Sequence, residues 1–445
     1  MVSAPSLPDP SELSRRQVLA GLGGLGALAT GGTVVVGATE PTALPDVLTD
    51  EATKHYPTPP EVRSIWQPTV TEDHARTVIE KLSSIVDRGE RHWNETDSER
   101  PFTGAGGWLE DARESLNAGE YNEALFEATY GLQFAAESLG RARYLLDDHD
   151  LEALGQRILD ARDRTSSVAE ALAPYRAHDP GTDLAWYLAI ERELLQASHE
   201  LRWEDAAAAA NGEHEGVLDE RDYAELTAAA AVGEVNALNA ERYWQHLQNR
   251  LEANAPASDE HLQQVADEFR STLESRPGRD EVRARYGLDD VDTVDPYAFA
   301  HSRLVRWCFD AATPTPWGID VDADLRVTTA LALGSAVVDW RAHDLAVDRL
   351  VVDETTTGFD SGHVLAEKRR ARDTYQATLG DDPDPLLAHQ AARAIEDLQV
   401  ATVDIDHDDD WAPWKERLDA YLYALVGRAR LHHHPDVYQQ LVDRN

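Results

Sequence analysis

The sequence predicts an all-α protein, a helical bundle or a set of stacked helical hairpins, behind an N-terminal segment of different character. Three observations carry this. Apolar residues recur in alternating steps of four and three over long stretches. Proline and glycine pairs interrupt those stretches at helix-length intervals. No run of β-branched residues shows the period-two alternation and hairpin turns of a sheet.

The chain begins with a segment that does not belong to this pattern. Ser14-Arg15-Arg16-Gln17-Val18-Leu19 places two adjacent arginines before apolar residues, and the 23 residues from Gln17 to Thr39 carry no charge. Seven glycines dilute that stretch. The combination resembles a twin-arginine export signal, in which Ser14, Arg15 and Arg16 are the recognition residues. The resemblance implies the twin-arginine translocation machinery as a partner, and an extracytoplasmic location, membrane-anchored or secreted. Val36-Gly37-Ala38 offers small residues for cleavage after Ala38. Equally, residues 17–39 suffice to cross about 30 Å of hydrocarbon and so to serve as a membrane anchor. Gly21-Leu22-Gly23-Gly24-Leu25-Gly26 matches a dinucleotide-binding spacing by accident, because it sits in this apolar segment rather than between a strand and a helix.

Residues 40–69 hold six prolines up to Pro68 and few apolar runs, which predicts a stiff, extended linker. A helical domain is expected over 70–312. Its clearest element follows Gly119, where Tyr121, Leu125, Ala128, Leu132, Ala135, Leu139, Ala142 and Leu146 form one seam. Phe126, Tyr130 and Phe134 widen that apolar surface, so this helix is expected to be enclosed by several neighbours. Trp108-Leu109-x-x-Ala112-x-x-x-Leu116-x-x-Gly119-x-Tyr121-x-x-Ala124-Leu125 resembles part of a tetratricopeptide-type helical hairpin, without a 34-residue period. Further helices are expected near 150–173, 182–208, 217–253, 258–275 and 295–311. Beyond Pro314-Thr315-Pro316 a second helical region, 313–445, should hold helices near 321–351, 361–379, 384–402 and 411–432.

Composition narrows the function classes. Asp and Glu number 82 against 41 Lys and Arg, giving a formal charge of −41. Four of the basic residues are lysines and the other 37 are arginines. An acidic, arginine-rich, lysine-poor chain resembles the proteins of extreme halophiles of the haloarchaeal type, in which molar salt screens the self-repulsion. No basic stripe exists to neutralise phosphates, so nucleic acid is not an expected partner. Cys308 is the lone cysteine, flanked by Trp307 and Phe309, and reads as a small buried hydrophobe.

No catalytic constellation assembles along the chain. His199-Glu200-Leu201-Arg202-Trp203 begins like a zinc-protease helix but has Trp203 where the second imidazole must stand. No histidine has glutamate three positions before it, as a di-iron bundle requires. Asp320, Asp322 and Asp324, like Asp404, Asp406 and Asp408, begin calcium loops but lack the turn glycine and closing glutamate. Asp360-Ser361-Gly362-His363 has serine-protease flavour without the sheet such enzymes are built on. His432-His433-His434 reads as an exposed helix C-terminus complementing the dipole. The one polar cluster worth carrying forward is Asp339, Arg341, His343 and Asp344, a carboxylate and an imidazole one helical turn apart. No metal site and no cofactor is expected. The sequence therefore points to a cell-surface scaffold or protein-binding module that meets another surface protein. The alternative is an extracytoplasmic enzyme or ligand-binding protein with a His/Asp site.

Overall fold

A computed structural model describes residues 40–60, 66–96, 102, 105–214, 216, 218–252, 254–288, 295–313, 325–403 and 412–443. Ser14, Arg15, Arg16, residues 17–39, Ala38 and both Asp-x-Asp-x-Asp segments lie outside these residues. The described part is all-α, with sixteen α-helices and no strand.

In chain order the helices are α1 (Asp46–Lys54), α2 (Glu72–Glu95), α3 (Gly106–Ala118), α4 (Tyr121–Leu145), α5 (Leu151–Leu172), α6 (Pro180–Glu200), α7 (Ala206–Ala210) and α8 (Glu220–Arg250). There follow α9 (Asp259–Glu274), α10 (Arg279–Arg285), α11 (Pro296–Leu304), α12 (Arg326–Arg349), α13 (Ser361–Leu379), α14 (Pro385–Gln390), α15 (Ala392–Val400) and α16 (Pro413–Val442). Their starts are chemically marked. Thr71, Asp150, Asp219 and Asp295 each accept the backbone N–H three positions on, and Pro180, Pro296 and Pro413 stand in first turns, where the missing N–H costs nothing.

The first half is built on α4 and α8. α4 packs on α2, α3 and α8, and α8 also covers α5 and α6. The seam read from the sequence is the buried face of α4: Leu125, Ala128, Leu132, Ala135, Leu139 and Ala142 are all in the core. Gly119, at φ +81°, ends α3 in the left-handed region and turns the chain into α4, a conformation glycine adopts without steric cost. At Gly140 a Cβ would stand 2.9 Å from the Cα of Ala224, so the missing side chain sets the α4–α8 approach.

α16 is the axis of the second half, touching α11, α12, α13, α14 and α15. One hydrophobic core runs through both halves, joining Trp186, Tyr187 and Val235 to Val327, Leu386 and Val437.

The structure differs from the sequence reading at several points. Residues 41–54, expected as an extended linker, form a short 3-10 turn and α1, with Pro41, Ala52 and Thr53 buried against α13. Arg417 holds this strap through Asp46 and Asp50 at 2.8 and 2.9 Å, and Ser361 donates its backbone N–H to Asp46 at 3.0 Å. Gly362 lies against it so closely that a Cβ would meet Thr42 Cα at 2.6 Å. The Asp-Ser-Gly-His stretch is thus an anchoring point.

α16 runs straight through Pro435 to Val442, so the three histidines are not at a helix end. His434 is buried with neither ring nitrogen partnered among the described residues, and burial pushes its pKa down to about 3. The expected helix over 182–208 stops at Glu200 because Arg162 draws the carbonyls of Leu201 and Trp203, at 2.7 and 2.6 Å, off the helical ladder. Phe126, Tyr130 and Phe134 are 48%, 45% and 37% exposed; α2, α3 and α8 cover the seam of α4 but leave this stripe partly open, with Trp108 of α3 against Tyr130.

Candidate functional site

Asp339, Arg341, His343 and Asp344 do not assemble into a site. Asp339 points into an ionic hub at the centre of the second half. There the buried Arg430 donates to Asp339 Oδ1 at 2.6 Å, to Asp397, and to the Trp307 carbonyl at 2.6 Å. Arg393 meets the other oxygen of Asp339 at 2.8 Å. The chain between Val305 and Phe309 takes a π-helical turn, whose loosened ladder leaves the Trp307 carbonyl open to Arg430. Burial pushes the Asp397 carboxyl up to about 6 although Arg430 pulls it down. His343, one turn along α12, turns away among the rings of Tyr286 and Phe309, 6.2 and 5.8 Å off. Its Nδ1 lies 3.2 Å from Asp344, whose side chain is mostly exposed, and burial lowers its pKa. Arg341 is half-buried. Cys308 is fully buried, and desolvation pushes its thiol up to about 12, which leaves it a hydrophobe rather than a nucleophile.

A wide concave feature among the described residues lies elsewhere. A cavity of about 980 Å³ opens between the halves, walled by α4, α6, α8, α14 and α15 and by Trp66. A linked set of its polar groups comes from α6 and α8. Glu193 is surrounded by protein yet keeps part of its side chain open to the cavity. Burial pushes its carboxyl up to about 7, against the opposing pull of Asn239 and Arg192. Asn239 Nδ2 donates to Glu193 Oε2 at 3.1 Å, and its Oδ1 accepts from His74 Nε2 at 2.8 Å. That bond makes Nε2 the protonated nitrogen of His74, and burial lowers the His74 pKa. Asn236, one turn before Asn239, lines the same wall.

Across the cavity stands His389, edge-on to Trp66 at 5.2 Å. Burial, with Arg192 adding to it, pushes its pKa down to about 4, so the imidazole is neutral at pH 7. Trp66 in turn meets Trp186 at 5.8 Å, and Trp186 meets Tyr243 at 6.1 Å, each edge to face.

The exposed stripe of α4 forms the rim. Trp108 packs edge-on against Tyr130 at 4.7 Å, Phe126 stacks on Tyr130 at 6.1 Å, and Phe134 follows at 5.2 Å. Phe126 and Tyr130 also line the cavity, so ridge and cavity are one surface. Sequence reasoning missed Glu193, Asn236 and Asn239. The available signal was the pair of carboxamides three positions apart on an alanine-rich helix, where nothing apolar explains them.

These features define the molecule as an all-α protein whose cleft lies at the junction of two helical halves. Residues 73–254 match a family described as a domain of unknown function, DUF8262, and residues 259–443 match a second, DUF8264. The cleft draws α4, α6 and α8 from the first matched segment and α14 and α15 from the second. No curated protein and no solved structure matches the chain. Among the described residues no helix is long and apolar enough to cross a membrane, and no three His, Cys, Asp or Glu side chains are grouped to hold a metal ion.

Proposed function

We propose that this chain is an exported binding module that recognises another protein at the cell surface through the cleft between its halves. The carrying observation is the continuity of the exposed Phe126–Tyr130–Phe134 ridge with the 980 Å³ cavity. A contiguous apolar patch opening into a concave site is the surface form of a binding site. The acidic coat supports work in molar salt, where apolar burial is strengthened and loose charge pairing screened. Export rests on Ser14, Arg15 and Arg16 ahead of the uncharged segment 17–39.

Two experiments test this reading. A photo-crosslinking residue at Gln133, on the rim, should capture a partner in intact cells, while one at the exposed Arg221 should not. Phe126→Ser with Tyr130→Ser should abolish capture while the chain still melts in a cooperative transition. Equal capture from both positions, or capture surviving the double substitution, overturns the binding reading. For export, Arg15→Lys with Arg16→Lys should leave the protein inside the cell; unchanged delivery overturns that part.

One observation favours a second reading, an extracytoplasmic enzyme or small-ligand binder. The cavity holds a carboxyl with a pKa near 7, backed by Asn239 and His74, and such a group can exchange protons at neutral pH. A partnerless protein purified with a small molecule in the cleft would establish this reading instead.

A further inference from the structure

We propose that the occupant of the cleft is an extended peptide segment of the partner that places an arginine or lysine side chain on Glu193 and pairs a backbone amide with Asn236. This rests on the binding reading above and specifies its chemistry.

Asn236 carries the argument. It is 4% exposed and lines the cavity, yet among the described residues its side chain makes no hydrogen bond. Its carboxamide atoms open onto the cavity rather than being sealed in the core, while its neighbour Asn239 has both ends occupied. An Asn side chain presents a donor and an acceptor side by side, the complement of a peptide group. Asn236 therefore offers an unfilled peptide-shaped pair on the wall of an open cavity.

Glu193 supplies the second contact. One of its oxygens accepts from Asn239; the other has no hydrogen-bond partner among the described residues and faces a cavity that also exposes Glu123, Glu200 and Glu396. Against these stands Arg192. The excess of acid selects a cation and repels an anion. A guanidinium or ammonium reaching Glu193 would gain a charge-assisted bond away from solvent, where even molar salt screens weakly. Trp66 and Tyr243 offer aromatic surface to its aliphatic stem or charged head. The cavity lies at the upper end of ligand-pocket volumes and continues onto the ridge, which suits several consecutive residues with an apolar side chain next to the basic one.

The test uses the full chain in molar KCl and fluorescence anisotropy with acetylated, amidated hexapeptide mixtures. One mixture fixes arginine at a central position and the other positions vary; a second fixes citrulline, the neutral isostere. The arginine mixture should bind about tenfold more tightly. Glu193→Gln should erase that difference. Asn236→Ala should weaken both mixtures alike, and N-methylation of the backbone beside the fixed residue should remove the sensitivity to Asn236. Melting curves confirm that both variants fold. Equal binding of the two mixtures, discrimination surviving Glu193→Gln, or absence of binding overturns the proposal. Spermidine binding as tightly as the arginine peptides overturns the peptide in favour of a free polyamine. Cleft-dependent crosslinking at Gln133 combined with any of these failures would leave the binding reading standing and this inference refuted.

Discussion

Glu191 of α6 accepts the backbone N–H of Thr328, 2.5 Å away, although the two residues are 137 positions apart. The same carboxyl accepts from Val327 N–H at 3.2 Å and from the Tyr175 hydroxyl at 2.7 Å. A side chain from the first half thus caps the N-terminus of α12 in the second, where the helix dipole favours negative charge. Burial raises the Glu191 pKa while these donors oppose it. The contact fixes α6 relative to α12.

Glu191→Ala should therefore destabilise the chain by about 3 kcal/mol, since it leaves buried N–H groups and a hydroxyl unpaired. Glu191→Gln, which keeps one acceptor, should cost less. Urea unfolding in molar KCl measures both; equal costs would show that the cap contributes little.

Arg430→Met should cost about 3–5 kcal/mol, because it strands Asp397 in the core while Asp339 keeps Arg393. Adding Asp397→Leu should recover much of the loss, since the two sites share one network. Additive losses in the double variant would contradict the hub.

The buried histidines predict acid sensitivity. Burial, in each case the leading cause, holds His301, His389 and His433 down to about 4 and His434 to about 3. Between pH 6.5 and these values the unfolded chain binds more protons than the folded one. The stability they confer is present above pH 6.5 and is lost as pH falls toward 4. The melting temperature should drop over that window, and His434→Leu should flatten the drop.

Glu193 acts in the opposite sense. With its folded pKa near 7 against 4.5, the folded state holds the extra proton between those values, and stability falls as pH rises through 7. Glu193→Gln should match the parent at pH 4 and exceed it at pH 8 in thermal melts.

Gly140→Ala should cost about 1–3 kcal/mol, because the new methyl would stand 2.8 Å from Thr227 Oγ1 and 2.9 Å from Ala224 Cα. Gly107→Ala, where a Cβ meets nothing within 4 Å, is the matched control and should be neutral or stabilising.

The sequence by itself determined the helical class and most of the helices. Steps of three and four along Leu125, Leu132 and Leu139 are a local consequence of 3.6 residues per turn, and no partner is needed to read them. Tertiary structure alone decided what those helices meet. Whether Phe126 is core or rim depends on which neighbour stops short of it. Whether Pro41 starts a free linker or a docked strap depends on a glycine 321 positions away leaving room. Asp339 and His343 share a helix, yet Arg430 draws one into an ionic hub and the rings of Tyr286 and Phe309 enclose the other. Glu193, Asn236 and Asn239 acquire meaning only where α6 and α8 enclose a space. Periodicity is written within one element, whereas burial, partnership and cavity are properties of several elements packed together.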